Sequence, residues 1–184
     1  MELRSEIRRR LAALQARELP LGDNRRAAVL MLIFEQDGEP HFLLTRRTDE
    51  VETHKGQVSF PGGMQHEGES LERTALRETF EEVGIQESRI EMLGRFHEYF
   101  STTGYLVTPF AAFINGVFST AAQEREVAEI LYAPFSLFGD PGRLRVEKMF
   151  RLGKMTEVYF YSFGIHEIWG LTAHIIKDFL EELR

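Results

Sequence analysis

Three carboxylates and one guanidinium lie within a single short segment near the middle of the chain. Glu78, Glu81 and Glu82 follow Arg77, and at about 100° per residue a helix would place the three acids on one face. Like charges at this spacing destabilise a bare helix and raise one another's pKa unless a cation intervenes. Oxygen-only ligands suit Mg²⁺ or Mn²⁺, which also take oxygens from substrate phosphates. The cluster indicates metal-dependent phosphate chemistry, although Glu-rich helix faces are commonly just solvated.

The flanking residues predict the helix that would position these acids. Ser70 suits the N-cap, and Gly84 suits the position after the last turn. Leu76, Phe80 and Val83 recur at helical spacing on the side away from the acids. We therefore expect these three side chains to form the apolar face that packs on the core.

A longer pattern extends over residues 63–85, namely G-x5-E-x7-R-E-U-x-E-E-x-G-U with U apolar. Its matches are Gly63, Glu69, Arg77, Glu78, Glu81, Glu82, Gly84 and Ile85. Thr79 departs at the first U. This pattern is the Nudix box, and the chain resembles the Nudix hydrolases, which cleave nucleoside diphosphates linked to another moiety.

The resemblance implies a role for each matched residue. Glu78 and Glu82, often with Glu81, would ligate Mg²⁺ or Mn²⁺ together with the carbonyl of Gly63. Arg77 would hold the carboxylates in place. Glu69 would support these residues without itself ligating the metal. The resemblance also implies an α+β fold of the α/β/α sandwich type, with a mixed central sheet and a loop–helix–loop metal site.

Many Nudix enzymes take a further glutamate from a segment after the box as general base or extra metal ligand. Residues 124–134, EREVAEILYAP, resemble the place where it sits. Glu126 is the first choice and Glu129 the second. The catalytic residues expected from the resemblance are therefore Glu81, Arg77 and Glu126, although surface acids usually serve only solubility.

A second signature lies directly upstream, in residues 43–63, LLTRRTDEVETHKGQVSFPGG. It is similar to the motif that precedes the box in Nudix enzymes that hydrolyse coenzyme A. The residues kept are Leu43, Leu44, Thr45, Arg47, Gly56, Phe60, Pro61, Gly62 and Gly63. Thr48 is a conservative departure, whereas Glu52 replaces an arginine and reverses a charge. The resemblance implies hydrolysis of coenzyme A to 3′,5′-ADP and 4′-phosphopantetheine.

If the family arginine contacts a phosphate, another cation must replace it in this chain. The candidates for substrate binding are Arg46, Arg47, His54 and Lys55, with Gln57 and Phe60 beside them. Arginine and lysine are the usual phosphate partners in proteins. Arg46 and Arg47 could equally be a solvated strand end.

Two later segments resemble coenzyme A Nudix enzymes more loosely. They are residues 96–114, FHEYFSTTGYLVTPFAAFI, and residues 165–180, IHEIWGLTAHIIKDFL. Trp169 is more commonly a core anchor than a ligand contact. His97 and Glu98 are weaker catalytic candidates, since a lone His on an apolar segment is usually structural.

Composition places limits on the class of protein. The 184 residues carry a net charge of −7 and contain no Cys, which argues against a nucleic-acid partner and fits a reducing, cytoplasmic setting. The longest apolar run, residues 27–34, is too short to cross a membrane. We expect one domain over residues 1–184, with residues 1–18 as a docked N-terminal helix, and the resemblance implies a possible homodimer.

Hydrophobic patterns predict the remaining elements. Strands are expected at residues 27–34, 41–46, 57–60, 90–100 and 105–114, a hairpin at 147–163, and a final helix at 168–183. Two alternative functions stay open. One is hydrolysis of another nucleoside diphosphate such as ADP-ribose or NADH, and the other is a nucleotide-sensing module without hydrolysis.

Overall fold

The computed structural model describes residues 2–48, 56–114, 116–151 and 153–184. Its helices are α1 (Glu2–Ala13), α2 (Leu71–Val83), α3 (Phe135–Gly139) and α4 (Gly170–Glu182), with a 3₁₀ turn at Glu87–Arg89. Its strands are β1 (Arg25–Gln36), β2 (Glu39–Arg47), β3 (Val58–Ser59), β4 (Gly62–Met64), β5 (Ile90–Arg95), β6 (Tyr99–Phe100), β7 (Tyr105–Ile114), β8 (Val127–Pro134), β9 (Leu144–Arg151), β10 (Lys154–Phe163) and β11 (His166–Trp169).

The larger sheet is mixed, as predicted. Its main path is β3-β2-β1-β7-β5, with β4 on β1, β6 on β7 and β8 on β2. Only the β1–β7 pair is parallel among these pairings. Because β7 occupies one edge of β1, the other edge serves β2 through residues 33–36 and β4 through residues 27–29. The chain therefore brings the 62–64 segment against the start of β1.

Side-chain alternation along β1 divides the core into two layers. Ala28, Leu30 and Leu32 pack in one buried cluster with α2, whereas Met31 and Ile33 pack in the other with α1, α3 and α4. Residues of a strand point alternately to the two faces of a sheet. A strand that is buried on both faces is apolar throughout, which explains the continuous run at residues 27–34. The fold is the α/β/α sandwich that the sequence predicts.

Helix α1 lies on the same side of the sheet as α4. Ile7 and Leu11 are buried in the core cluster, and a Cβ added at Gly94 of β5 would meet Leu11 at 2.9 Å. The helix ends at Ala13, earlier than the 18 residues expected. Residues 14–20 continue instead as an irregular segment, because they bond to the 97–98 segment through their backbone.

Helix α2 has the predicted caps but not the predicted face. Ser70 accepts a bond from the Arg73 N–H at 3.2 Å, and Gly84 is left-handed with φ 73°. Thr79 is fully buried, whereas Phe80 is 47% exposed, so the prediction for Phe80 is wrong. At about 100° per residue, a helix with Thr79 facing the sheet turns Phe80 outward and brings Glu82 into the buried arc. This rotation buries a carboxylate.

Several boundaries differ from the sequence prediction. The expected strand at 90–100 is interrupted at residues 96–98, and β8 was not predicted as a strand. The hairpin is confirmed with longer arms, β9 and β10, and β11 joins them in a second antiparallel sheet. Residues 166–169 extend as β11 because Phe160 pairs with Trp169 and Tyr161 with Ile168, so the last helix starts at Gly170.

Candidate functional site

A cavity of about 1470 Å³ opens at the end of the sheet where β4 lies against β1. Its wall includes Arg77, Glu78, Glu81 and Glu82 of α2, together with Gly62 and Gly63 of β4. The opposite part of its lining comes from β10, the start of α4 and the 99–105 segment. The cavity therefore joins the acidic helix to elements that are distant in sequence.

Arg77 organises the acidic end through every N–H of its guanidinium. The Nε group and one Nη2 hydrogen donate to the two oxygens of Glu69, at 2.9 and 3.1 Å. The Nη1 group donates to Glu78 at 2.8 Å and to Glu81 at 3.1 Å, and Nη2 also donates to the Met64 carbonyl at 3.2 Å. A guanidinium has five N–H donors, so Arg77 is saturated by the protein. Its pKa is raised by these carboxylates.

Glu69 is the fully compensated carboxylate of the site. Besides Arg77, the hydroxyl of Thr74 donates to it at 2.8 Å and the His66 N–H at 3.3 Å. The hydrogen bonds of Arg77 lower the pKa of Glu69 to about 2, with burial acting in the opposite direction. Glu69 is therefore a fixed anion that orients Arg77.

Glu82 is buried with far less compensation. It is 6% exposed, the hydroxyl of Thr45 is 3.5 Å from its Oε2, and the Gly62 N–H bonds to it. Burial raises the pKa of Glu82 to about 8, and repulsion from Glu78 and Glu126 adds to the effect. Burial also raises the pKa of Glu78, against the pull of Arg77. Arg47 lowers the pKa of Glu82 and Arg77 lowers that of Glu78, but neither offsets the effect of burial.

The two glycines of β4 allow close contacts, Gly63 with the Glu78 carboxylate and Gly62 with the backbone of β1. A Cβ at Gly63 would lie 2.5 Å from the Glu78 carboxylate. A Cβ at Gly62 would lie 2.3 Å from the Ala28 carbonyl, and the φ of Gly62 is 157°. The backbone of β4 and the carboxylate of Glu78 can therefore be in contact only when residue 63 has no side chain.

The donor set fits a divalent cation that keeps part of its water. Carboxylates with raised pKa values beside each other need a positive charge to stay ionised. Within the described ranges, no group of three or more His, Asp or Glu side chains is positioned to bind a metal ion by itself. Mg²⁺ is commonly held by one or two carboxylates, with water and substrate phosphate completing its shell. Glu78 and Glu82 would be the protein ligands, with Glu81 at the more exposed rim.

The two candidates for the later glutamate are separated by the fold. Glu126 lines the cavity and its charge acts on both Glu78 and Glu82. Its backbone N–H bonds to the Gln123 carbonyl, and Gln123 N–H in turn bonds to the Glu82 carbonyl. Glu129 instead lies 3.7 Å from Arg46 and 3.1 Å from His166, outside the cavity lining. The structure thus brings only Glu126 to the acidic site.

The predicted substrate-binding residues are also divided. Arg47 and Gln57 line the cavity, whereas Arg46 does not. Thr45 and Arg47 share the α2 face of β2, so alternation sends Arg46 to the other face, toward Glu129. Phe60 lines the cavity but is only 2% exposed. Its ring packs edge-on against Phe42 in the core, so the side chain contributes mainly to core packing.

His54, Lys55 and the charge-reversing Glu52 lie outside the described residues.

The cavity also contains residues that were not predicted as site residues. Tyr99, the 101–103 segment and Tyr105 line it, as do Trp169, Gly170 and Thr172. The signal that could have found them was present in the sequence, since both segments resemble coenzyme A Nudix enzymes. Only tertiary structure could show that they meet in one cavity. Trp169 stacks on Phe160 at 5.7 Å, with 6° between the rings.

A family model described as "NUDIX domain" matches residues 24–135. Among curated relatives, the chain is 37% identical over 165 residues to an "Uncharacterized Nudix hydrolase NudL" of Photorhabdus laumondii, covering 89% of this chain and 88% of the relative. A protein of the same description from Yersinia pestis is 38% identical over 161 residues, which cover 87% and 80% of the two chains.

Solved structures share the fold at low sequence identity. DR0079 from Deinococcus radiodurans matches with a TM-score of 0.58 and 11% identity, over 90% of this chain and 88% of its own. RenU, a Nudix hydrolase from M. smegmatis, matches with 0.54 and 22%, over 65% and 78%. An Ap4A hydrolase from C. elegans matches with 0.52 and 21%, over 61% and 81%. No helix in the described part of the chain is long and apolar enough to cross a membrane.

Proposed function

This chain belongs to the Nudix family, and we propose that its substrate is coenzyme A or a derivative, cleaved at the diphosphate to 3′,5′-ADP and 4′-phosphopantetheine. The family activity is hydrolysis of a nucleoside diphosphate derivative with the help of a divalent metal ion. We propose Mg²⁺ or Mn²⁺ as that ion, because the ligands available are oxygens.

One observation supports the substrate more than any other. The three segments that resemble coenzyme A Nudix enzymes contribute to a single cavity. The first contributes Arg47, Gln57 and Phe60, the second Tyr99, residues 101–103 and Tyr105, and the third Trp169 with its neighbours. The acidic residues of α2 line the same cavity. A substrate with a diphosphate at one end and a long organic arm needs such a continuous space.

The site residues would divide the chemistry between them. When bound by Glu78 and Glu82, the cation would neutralise charge on the phosphate oxygens and acidify a water. Glu126 faces the same space and would accept the proton of the attacking water. Arg77 would act as a positioning residue, since all its donors are engaged with carboxylates and the Met64 carbonyl. Arg47 would meet a phosphate oxygen at the acidic end.

The test is a substrate panel with product identification by mass. Purified protein with Mg²⁺ or Mn²⁺ is expected to convert coenzyme A to 3′,5′-ADP and 4′-phosphopantetheine. The panel includes ADP-ribose and NADH at the same concentration. Turnover of either of these with no turnover of coenzyme A would reject the proposed substrate and leave the Nudix activity intact.

Two alternatives remain, and particular residues favour one and disfavour the other. Glu52 reverses the charge of the coenzyme A signature, which favours another nucleoside diphosphate derivative. A sensing module without hydrolysis is disfavoured, because Glu78, Glu81 and Glu82 are all present and line the cavity. Absence of turnover across the panel, together with tight nucleotide binding, would favour the sensor.

We further propose that the protein acts in the cytoplasm on a small-molecule substrate, without a nucleic-acid partner, and that it can form a homodimer. The net charge of −7 and the absence of Cys support the first two points. The homodimer is supported by family resemblance. Light scattering on the purified protein measures its mass directly.

A further inference from the structure

Four arginine or lysine side chains of the described residues line the cavity: Arg17, Arg47, Arg77 and Lys154. The donors of Arg77 are already used by Glu69, Glu78, Glu81 and Met64. The charge of Arg47 acts on Glu82 and so belongs to the acidic end of the cavity. Among the cavity-lining cations of the described residues, Arg17 and Lys154 are therefore the candidates to meet a phosphate far from the scissile diphosphate.

Arg17 is held in place by its backbone. Its N–H donates to Nδ1 of His97 at 2.9 Å, and its carbonyl accepts from the Glu98 N–H at 2.9 Å. Two residues on, the Leu19 N–H donates to the Glu98 carboxylate at 2.8 Å. Glu98 is 2% exposed and also accepts from Arg95 and Thr108. The segment around residue 17 is thus fastened to the sheet without using the Arg17 side chain.

The guanidinium of Arg17 is placed toward the cavity by an aromatic ring. Its central carbon lies 5.2 Å from the ring centre of Tyr99, and its side chain is 48% exposed. The nearest carboxylate, Asp178, is 4.0 Å away. Asp178 also accepts a bond from the Tyr99 hydroxyl at 2.9 Å and lies 3.4 Å from His174. Arg17 therefore has an acidic neighbour but no close, bidentate ion pair with it.

We propose that Arg17 binds a phosphate monoester of the substrate that is remote from the diphosphate being cleaved. This inference rests on the proposed function, because coenzyme A carries such a group at the 3′ position of its ribose. A planar guanidinium can donate two parallel bonds to phosphate oxygens. Arg17 precedes residues 24–135, the part that matches the family domain. The N-terminal segment would thus add substrate selectivity to a common catalytic core.

Lys154 is the competing cation. It is exposed at the start of β10, so holding it against a ligand would cost side-chain entropy. The backbones of both residues are held, but the guanidinium of Arg17 is also restrained by its contact with the Tyr99 ring, which lowers that cost. For this reason the remote phosphate is assigned to Arg17.

The experiment compares coenzyme A with 3′-dephospho-coenzyme A, which lacks only the remote phosphate. The wild-type protein, Arg17→Ala, Arg17→Lys and Lys154→Ala are assayed with both substrates. Arg17→Ala is expected to lower kcat/KM for coenzyme A about tenfold, the effect of one charge-assisted hydrogen bond, and to leave 3′-dephospho-coenzyme A unchanged. Arg17→Lys should recover part of the loss. Arg9→Ala, in an exposed pair with Glu6, is the control for net charge.

Binding of the nucleotide product gives a readout that does not depend on turnover. Calorimetry should show that Arg17→Ala weakens binding of 3′,5′-ADP but not of 5′-AMP. Equal losses on both substrates, no loss on either, or a selective loss in Lys154→Ala instead would overturn the assignment to Arg17. A wild-type protein that hydrolyses neither form of coenzyme A would overturn the proposed function as well, which separates the two failures. Unchanged thermal unfolding of Arg17→Ala checks that the backbone bonds persist.

Discussion

Glu69 and Glu82 belong to the same sequence pattern but occupy opposite electrostatic environments. Glu69 receives hydrogen bonds from Arg77, Thr74 and the His66 N–H, and its pKa falls to about 2. Glu82 is more deeply buried, has few donors and lies near Glu78 and Glu126, and its pKa rises to about 8. The difference shows that the donors around a carboxylate decide the direction in which its pKa shifts. The sequence pattern specifies only its position.

The contrast also separates two functions of the acidic cluster. The Glu69–Arg77 pair is complete without any ligand, so it can fix the geometry of α2 against β4. On the Glu78–Glu82 side, burial and repulsion from neighbouring carboxylates raise the pKa values of both carboxyl groups. A bound cation would stabilise their ionised forms. Changes on the two sides should therefore affect different measurements.

The largest expected effect is on activity. Glu82→Gln removes the charge while keeping the volume, so kcat/KM should fall about a thousandfold because the divalent ion loses a ligand. The free energy of unfolding without metal should not fall at neutral pH, since the raised pKa of about 8 leaves Glu82 mostly protonated there and Gln is neutral as well. Steady-state kinetics and urea unfolding measure the two quantities.

The matched control for Glu82→Gln is Glu67→Gln, an exposed residue of the loop before α2. It should retain wild-type turnover. Wild-type turnover in Glu82→Gln itself would contradict the metal-binding role of Glu82.

The second effect is on stability. Arg77→Ala leaves Glu69 and Glu78 without their shared partner, and both are largely buried. The free energy of unfolding should drop by about 3 kcal/mol, as when one member of a buried ion pair is removed. Arg73→Ala on the same helix breaks only the exposed pair with Glu87 and should cost less than about 1 kcal/mol. Urea unfolding measures both losses. Equal losses in the free energy of unfolding would show that the ion pairs of Arg77 stabilise the protein no more than the exposed pair of Arg73.

The third effect is the pH dependence of stability without metal, which is spread over several pH units. Because the pKa of Glu82 is raised from 4.5 to about 8 in the folded protein, its contribution to stability is fully present below pH 4.5. That contribution is lost as the pH rises toward 8, at up to about 1 kcal/mol per pH unit. Glu69, with its lowered pKa, acts in the opposite sense, and its contribution is lost as the pH falls from 4.5 toward 2.

Urea unfolding between pH 5 and 8 in the presence of a chelator checks this slope. The loss should be smaller in Glu82→Gln, and saturating Mg²⁺ should reduce it in the wild-type protein by binding the ionised carboxylates. An identical slope in wild type and Glu82→Gln would show that Glu82 does not titrate in this range.

Local patterns predicted the elements well where a residue interacts with its neighbours in sequence. The caps of α2 at Ser70 and Gly84, the strand at 27–34 and the late hairpin follow from backbone preference and apolar periodicity, and all appear in the structure. The prediction failed where contacts are distant. Phe80 was expected inside, but the rotation of α2 on β1 is set by Thr79 and its neighbours against the sheet. Residues 166–169 pair as β11 because β10 provides a free edge.

The sequence by itself determined the kind of chemistry, because the spacing of Gly63, Glu69, Arg77, Glu78 and Glu82 fixes their order along one loop and one helix. Only the tertiary structure decided which of the other residues share that site. It placed Glu126 and Arg47 in the cavity and left Glu129 and Arg46 outside, through strand register and side-chain alternation. It also brought Arg17 and Trp169 there. These residues come from segments that are distant in sequence, and no local periodicity encodes their meeting.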